Sequence, residues 1–509
     1  MKTINKLIVA ALVIVFVSAC SDKFLSVVPQ DVLTNANFPS NEADAKAALN
    51  GVYNVCQSQY TFGGQVIPAC LEWDMTGDLY EQDQNQPRVD LAMLNLPADN
   101  TYTTGMYRTL YQGIGQANFV IDAVGTMKNI DPTAKSVIVG QAKFLRALYY
   151  YTLVNYFGGV SLVLKELNAT SNLDVPRSSK DSCWAQIEGD LKDAASVLPK
   201  TWSGDDAGRA TQGAALALLV KTYLWQQKWD SAVSTSEQIV GSKVYGLLPK
   251  FRDVFEADNG NNKEIVFSTQ FSAAQNGIEG MNEDVRTAPR GSSSEYVGRD
   301  AWSNFVPEKE WVNAFEKDAQ GKIIDQRYWG VIIGPGEAHQ EIPGFVMPTE
   351  VPNQGTKTGY IITKWWQAAS ATNVGVDFPV IRYAEVLLNY AEALNEVGRS
   401  QDAMKAVNEL RERAGLADKP LNLSKADVLS AIFYEARMGF IYEFYGAFSM
   451  LNRRGMFKDF IKTHRADFSQ IDYDGKSWLQ QSPILLPIPT AAWNVNKALV
   501  QNPGYPAFK

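Results

Sequence analysis

The segment from Asp377 to Leu416, DFPVIRYAEVLLNYAEALNEVGRSQDAMKAVNELRERAGL, carries the clearest helical pattern in the chain. Its apolar residues recur at intervals of three and four, which predicts one helix with a single apolar stripe. Gly398 follows the last residue of the stripe, where a helix favours glycine at C′. Pro379 is expected just before the first turn, where its missing N–H costs little. The stripe consists of Tyr383, Val386, Leu387, Tyr390, Ala391 and Leu394.

A second helix is predicted after this turn, ending at Gly415. Ser400 or Asp402 is its candidate N-cap, and Glu409 and Arg413 have the i, i+4 spacing of a stabilising ion pair. Its inner face consists of Ala403, Val407, Leu410 and Ala414. Two short helices and a tight turn form an αα-hairpin of about 34 residues, the length of a tetratricopeptide unit. An ordinary core hairpin is the alternative until other copies are found.

A second hairpin with the same pattern is predicted between Ala215 and Gly241, with QQKWD as its turn. The two hairpins are about 140 residues apart, which excludes a simple solenoid and requires long insertions between repeats. Further helices are predicted at Asn41–Asn54, Tyr107–Met127 and Ala134–Tyr156, and from Leu429 onwards.

The insertions have a different composition. Lys263–Phe271, KEIVFSTQF, predicts a strand, and Ser272–Val376 is rich in glycine, proline, asparagine and aromatic residues. Such a length favours irregular functional loops packed on the helices. Trp311 fits a helix face and is expected in the core. Trp365 and Trp366 follow an apparent strand, so at most one of them is expected to reach a ligand.

The N-terminus resembles a bacterial lipoprotein signal. Lys2 and Lys6 precede an apolar run from Leu7 to Val17, and small residues lead to Cys20. Residues 1–19 are therefore expected to be a signal peptide and Cys20 the lipidated residue, with an ordinary secretory signal as the alternative. No later segment has about 18 unbroken apolar residues, so no other membrane span is expected.

Three cysteines follow, namely Cys56, Cys70 and Cys183. Export permits a Cys56–Cys70 disulfide, but the odd count leaves at least one thiol. No Cys-x-x-Cys pair supports a zinc or redox site. The acidic stretches Asp74–Asp83 and Asp258–Glu264 leave a calcium site as an alternative, although neither fits the EF-hand pattern. We therefore expect no metal and no cofactor.

The 509 residues are 46% hydrophobic and 20% charged, enough for a packed core. The net charge of −8, without a basic stripe, gives no support for nucleic-acid binding. Only His339 and His464 are present, and no Gly-x-Ser-x-Gly, HExxH or phosphate-binding glycine loop occurs. An enzyme is therefore not expected, although paired carboxylates leave a glycoside hydrolase as an alternative.

Two polar stretches combine aromatic rings with hydrogen-bonding side chains: EWDMTGDLYEQD from Glu72 and SSSEYVGRDAW from Ser292. Aromatic faces contact the C–H groups of sugars, while Asp, Asn, Gln and Arg bind the hydroxyl groups. Both stretches are therefore candidates for saccharide binding. Core packing is the alternative for each aromatic residue.

Several segments, in chain order, resemble the SusD/RagB family of outer-membrane nutrient-binding lipoproteins of Bacteroidetes. They extend across most of the chain that follows the signal. The strongest are FPVIRYAEVLLNYAEALNEVG at Phe378–Gly398, ARMGFIYEFYGAFSMLNRRGMF from Ala436, and LLPIPTAAWNVNKALVQNPGY ending at Tyr505. YLWQQKWDSAV from Tyr223, DQRYW from Asp325 and TKWW from Thr363 add to them.

The resemblance implies an all-α fold, in which four tetratricopeptide-like helix pairs form a scaffold with long loop-rich insertions and a few short strands. It divides the chain into residues 1–19 (signal), 20–40 (lipidated tether), 41–250 (SusD-like N-terminal region) and 251–509 (RagB/SusD C-terminal region). Glycan contacts in the family fall in roughly the two stretches above. The expected ligand-binding residues are accordingly Trp73, Asp74, Asp78, Tyr80, Tyr296, Arg299 and Trp302.

The resemblance also implies a function and a partner. The expectation is a non-catalytic lipoprotein, anchored by lipid in the outer membrane and facing outward. It would bind oligosaccharides and deliver them to a SusC-like TonB-dependent transporter that it covers as a lid. Capture of peptides or other nutrients by the same scaffold stays open, as does a purely protein-binding scaffold for outer-membrane assembly.

Overall fold

The computed structural model describes residues 38–63, 67–81, 86–167, 171–272, 305–339, 344, 346–347, 349, 358–367, 375–465 and 468–509. The predicted signal peptide and Cys20 lie outside these residues. No helix in the described ranges combines the length and apolar character needed to cross a membrane.

The described residues form sixteen α-helices and six short strands. The helices are α1 (Glu42–Asn54), α2 (Ile67–Asp74), α3 (Gln86–Ala92), α4 (Thr101–Thr126), α5 (Pro132–Phe157), α6 (Lys180–Val197), α7 (Gln212–Trp225), α8 (Trp229–Ser242), α9 (Lys309–Asn313), α10 (Gln326–Val331), α11 (Tyr383–Glu396), α12 (Ser400–Arg413), α13 (Lys425–Gly439), α14 (Ala447–Arg453), α15 (Phe457–His464) and α16 (Thr490–Val495). The strands are β1 (Leu79–Glu81), β2 (Ile265–Thr269), β3 (Phe305–Pro307), β4 (Ile332–Ile333), β5 (Ile361–Ile362) and β6 (Phe378–Arg382).

The long helices pack side by side in a continuous array. Helix α4 contacts α5, and the contacts continue in chain order through α6, α7 and α8. Helix α8 then contacts α11, which also packs on α12 and α13. This confirms the predicted all-α scaffold with a few short strands. The division into four tetratricopeptide-like pairs and the four sequence regions stay predictions.

Both predicted hairpins are confirmed, as α7–α8 and α11–α12. Gly398 has φ +83°, the left-handed conformation expected at C′. The predicted N-caps of the second helix are wrong, because Arg399 occupies the N-cap position and its side chain makes no capping bond. The predicted Glu409–Arg413 pair is also wrong. Arg413 is buried and pairs instead with Glu264 at 3.2 Å.

The residues directly before α11 form a strand that the helical pattern concealed. Strand β6 pairs antiparallel with β2, which confirms the strand predicted in KEIVFSTQF. Pro379 therefore lies in β6 opposite Ser268, not at a helix start. Each strand of this ribbon has a single neighbour, so the missing N–H of proline can face the unpaired edge.

The core incorporates most of the aromatic residues in the described insertions. Trp311 is fully buried on α9, as predicted, and both Trp365 and Trp366 are buried. This agrees with the prediction that at most one of the two would reach a ligand, because neither side chain is exposed. Cys56, Cys70 and Cys183 are all buried thiols, so the Cys56–Cys70 disulfide is not formed.

Candidate functional site

A two-stranded ribbon pairs part of the first predicted ligand-binding stretch with the strand that follows the second stretch in sequence. Strand β1 pairs antiparallel with β3, with Leu79 opposite Pro307 and Glu81 opposite Phe305. The N–H of Glu308 also donates to the carbonyl of Asp78 at 3.0 Å. Because the strands are antiparallel, the chain leaves β1 and enters β3 at the same end of the ribbon. Segments more than 200 residues apart in sequence therefore converge at one place.

The first part of the predicted site is interior. Trp73, at the end of α2, is fully buried, and its indole Nε1 donates to the carbonyl of Glu443 at 3.0 Å. An aromatic face needs exposure to stack on a sugar, so the assignment of Trp73 as a ligand contact is corrected to a core role. Its large side chain fixes α2 against the chain before α14.

Asp74 and Asp78 are corrected in the same way, because arginines occupy both carboxylates. Arg88 Nη2 lies 2.5 Å from Asp74. Arg437 bonds Asp78 through Nη2 at 2.5 Å and Nε at 3.0 Å. Both aspartates are at most 2% exposed. Pairing of this kind is what makes a buried carboxylate tolerable, and it leaves neither group at a solvent-facing ligand surface.

These arginines tie the ribbon to the helical scaffold. The Arg88 guanidinium lies over the ring of Phe305 in β3, 3.6 Å from its centroid. Arg465, just after α15, donates to the carbonyls of Met75 and Ala92 at 3.2 and 2.7 Å. Together with Arg437 on α13, these contacts fix the segment from residue 74 to 78 at three points. The ribbon is therefore a rigid base for the segments that extend from it.

The other predicted ligand-binding residues lie in β1 or outside the described residues. Tyr80 lies in β1 opposite Val306, so its backbone belongs to the ribbon. Tyr296, Arg299 and Trp302 lie outside the described residues. All four stay predictions as ligand contacts.

The sequence analysis did not single out Arg88, Arg437 or Arg465, although all three build this region. One signal was present: acidic residues in a stretch rich in apolar and aromatic residues require cationic partners if they are buried. That signal predicts that arginines are needed but not which ones. Their positions in the chain carry no local pattern, and Arg437 is 359 residues from the aspartate that it binds.

The two histidines are not arranged for nucleophilic catalysis. His339 is buried, its Nε2 lies 3.0 Å from Thr363 Oγ1, and burial lowers its pKa to about 4. His464 stacks on Phe460 with ring centroids 4.3 Å apart. Neither forms a nucleophile–base–acid triad with the partners described here. The paired aspartates of the ribbon are likewise committed to arginines. These features define a helical scaffold whose candidate ligand surface is carried by inserted segments.

Comparison with known proteins agrees with this architecture. The SusD family model matches residues 263–505, and a model described as "Starch-binding associating with outer membrane" matches residues 23–224. SusD-like protein P25 of Formosa agariphila is 23% identical, over 97% of this chain and 98% of its own length. The chain belongs to the SusD/RagB family, as its sequence motifs predicted.

Solved structures share the fold. A SusD superfamily protein from Bacteroides vulgatus has a TM-score of 0.77 at 23% identity, with 92% of this chain and 100% of that chain covered. A protein described as a laminarin-binding SusD-like protein has a TM-score of 0.74 at 25% identity, with 91% and 100% covered. At these identities the likeness establishes the fold of the scaffold.

Proposed function

We propose that this chain is a non-catalytic lipoprotein of the outer membrane that captures oligosaccharides and passes them to a TonB-dependent transporter. The observation that supports the proposal is the β1–β3 ribbon, in which the strand containing Tyr80 pairs with a strand that begins three residues after Trp302. Tyr80 belongs to the first stretch, and Tyr296, Arg299 and Trp302 to the second. Aromatic faces with amide, carboxylate and guanidinium groups suit neutral or weakly charged sugars.

The family relations support a glycan as the ligand. One matching model is described as starch-binding, and a similar fold is described as laminarin-binding. The polymer bound by this chain follows from neither description. Peptide capture and glycoside hydrolysis are therefore outcomes that the experiment must distinguish.

The test is a glycan array followed by calorimetry on residues 21–509. The informative variants are Trp302→Ala and Tyr296→Ala, because both residues belong to the inserted segment. We expect at least one neutral glycan to bind the wild-type chain and to bind each variant about tenfold more weakly or worse. The glycan should be recovered uncleaved after prolonged incubation. Trp73→Ala is unsuitable here, because Trp73 is buried and its loss would report on folding.

Three results would contradict the proposal. Equal glycan binding by the wild-type chain and both variants would reject the site. Binding of peptides without glycans would favour nutrient capture of another class. Release of shorter sugars would favour a hydrolase, and replacement of individual acidic residues would then identify its catalytic pair.

Anchoring and partner are tested separately in the native membrane. Cys20→Ser should move the protein from the membrane fraction to the soluble exported fraction, because the acyl chains would be lost. The wild-type protein should co-purify with a large outer-membrane β-barrel after mild solubilisation. Membrane retention of Cys20→Ser, or purification without such a barrel, would contradict these two parts of the proposal.

A further inference from the structure

A cleft of about 320 Å³ lies away from the ribbon, between the end of α1, the loop from Asp205 to Arg209, and the end of β2. This volume is at the lower end of the range of 300–1,000 Å³ typical of ligand pockets. None of the residues that line it was predicted as a binding residue. It shares no lining residue with the ribbon.

The walls of the cleft are fixed by hydrogen bonds between distant segments. Tyr53 Oη donates to Gln141 Oε1 at 2.8 Å and accepts from the N–H of Ala210 at 2.9 Å. Gln57 Nε2 donates to the carbonyl of Gln270 at 2.9 Å. These bonds join α1, the loop and β2 before any ligand arrives. A preformed cleft of this kind avoids the cost of ordering its walls on binding.

A glycine sets the position of the loop. Gly208 has φ +88°, and a Cβ at this position would lie 2.3 Å from the Gln270 side chain. The positive φ favours glycine here, and the Cβ of any other residue would require the Gln270 side chain, which follows β2, to move.

The polar lining is dominated by neutral amides. Asn50 and Asn54 are exposed and four residues apart on α1, so they project from one face. Gln57 and Gln270 also line the cleft, and the Gln270 side chain bonds to Asn261 and Ser268. Asn54 Nδ2 donates to Gln57 Oε1 at 2.9 Å, which leaves the Asn54 Oδ1 acceptor for another partner. Thr269 adds a buried hydroxyl without a partner among the described residues.

The charges around the cleft disfavour an anionic ligand. Arg209 is engaged through Nε with Asp206 at 2.6 Å and through Nη2 with Asn50 Oδ1 at 2.9 Å. Asp205 is exposed at the rim and contributes a negative charge. Tyr53 and Phe267 supply the apolar part of the lining. Amides that donate and accept side by side match adjacent hydroxyl groups, and the small volume excludes a long peptide strand.

We infer that this cleft is a second saccharide-binding site, which takes a neutral unit of one or two sugar rings. The inference rests on the proposed function only for the class of ligand. Together with the site proposed at the inserted segments, the cleft gives the chain two places that bind one long glycan or two separate glycans. Weak contacts at two places on a long polymer raise the overall affinity through effective concentration.

The experiment uses residues 21–509 and a fixed panel of maltose, cellobiose and laminaribiose, followed by saturation-transfer difference NMR and calorimetry. Asn54→Ala and Gln57→Ala remove two lining amides. Gln59→Ala is the matched control, because Gln59 is an exposed amide two residues beyond Gln57 and does not line the cleft. Thermal unfolding of each variant verifies that the fold is retained.

We expect at least one disaccharide to bind the wild-type chain and Gln59→Ala equally, and to bind each cleft variant about tenfold more weakly. Trp302→Ala should retain this binding. The glucuronic-acid analogue of the bound disaccharide should bind more weakly in the wild-type chain, and Asp205→Asn should reduce that difference.

Two outcomes would overturn the second site. One is that no disaccharide of the panel binds the wild-type chain, and the other is that both cleft variants bind as the wild type does. The proposed function fails in a different way, when Trp302→Ala and Tyr296→Ala leave array-detected glycan binding unchanged. Each result therefore identifies which of the two proposals has failed.

Discussion

In the hairpins α7–α8 and α11–α12, the corresponding helices and turns have the same lengths. Each of their four boundaries differs by 171 residues, as 212 against 383 and 242 against 413. Their turns make equivalent bonds. Lys228 N–H donates to Tyr223 O at 3.0 Å in the first, and Arg399 N–H donates to Leu394 O at 2.8 Å in the second. The backbone plan is thus repeated in both halves of the chain.

The hairpins differ in the charges that they bury. Lys221 on α7 and Glu392 on α11 occupy equivalent positions and carry opposite charges. Lys221 pairs with Glu385 on α11 at 2.6 Å. Glu392 binds Arg453 at 2.5 Å and Arg454 at 2.8 Å. The repeated apolar pattern therefore sets the helix pairs, while the non-repeated charges determine which neighbours each pair joins.

The largest expected effect is in the second hairpin. Glu392→Ala should lower the free energy of unfolding by about 3–5 kcal/mol, because it leaves the nearly buried Arg453 without its carboxylate. Chemical denaturation measures this loss. The exposed Glu412 of α12 supplies the control, and Glu412→Ala should change stability by less than about 0.5 kcal/mol. Equal losses of stability in the two variants would show that the buried ion pair contributes no more to the free energy of unfolding than the exposed Glu412 does.

In the first hairpin, Lys221→Ala should cost about 3 kcal/mol, because it leaves one buried carboxylate, Glu385, without a cation. The double variant Lys221→Met with Glu385→Leu should recover most of this loss, since apolar groups of similar volume can replace a buried pair. Denaturation of Lys221→Met, of Glu385→Leu and of the double variant completes the cycle. A purely additive result would mean that the two residues act independently.

A pH effect is expected just before the second hairpin. Asp377 precedes β6, and burial raises its pKa to about 6, above the ordinary value of 3.8. The folded state therefore holds this proton more tightly. Its stabilising contribution is complete below pH 3.8 and is lost as the pH rises through 6.

We expect the wild-type chain to lose roughly 2 kcal/mol from this group between pH 4 and 6. Asp377→Asn should remove that part of the slope while it still accepts the N–H of Phe271, a 3.0 Å bond in the wild type. Asp418→Asn, at an exposed residue, is the control. Denaturation curves at four pH values provide the measurement. An unchanged slope in Asp377→Asn would contradict the assignment to this carboxyl.

The comparison also explains how far the sequence could predict the structure. Periodic apolar residues predicted both hairpins, because helix packing leaves a local pattern. Gly398 also predicted the turn of the second hairpin, because a left-handed turn favours glycine. Phe378–Arg382 was missed as a strand, since its partner β2 lies more than 100 residues away. Arg413 pairs with Glu264 and not with the nearby Glu409, because a buried guanidinium needs a carboxylate that is buried beside it.

The candidate site shows the same division. Composition predicted that both aromatic stretches are candidates for saccharide binding, but not that β1 of the first stretch pairs with β3, which follows the second. Composition could not predict that Trp73 is buried, because its sequence surroundings suit a sugar contact as well as a core position. Only the tertiary positions of Arg88 and Arg437 reveal that Asp74 and Asp78 are committed to ion pairs. The amide cleft was missed because its residues come from three segments, none of which has a motif.

The smallest and sharpest comparison concerns the two turns. Gly398 has φ +83°, whereas the equivalent Gln227 adopts φ +56° with a side chain that disfavours it. Gly398→Ala should therefore destabilise by about 1 kcal/mol, and Gln227→Gly should stabilise by a similar amount. A Cβ on Gly398 meets no atom within 4 Å, so the cost in that variant comes from backbone conformation alone. Thermal unfolding of both variants should give shifts of opposite sign. Shifts of the same sign would show that the two turns, despite their equivalent bonds, respond differently to glycine at this position.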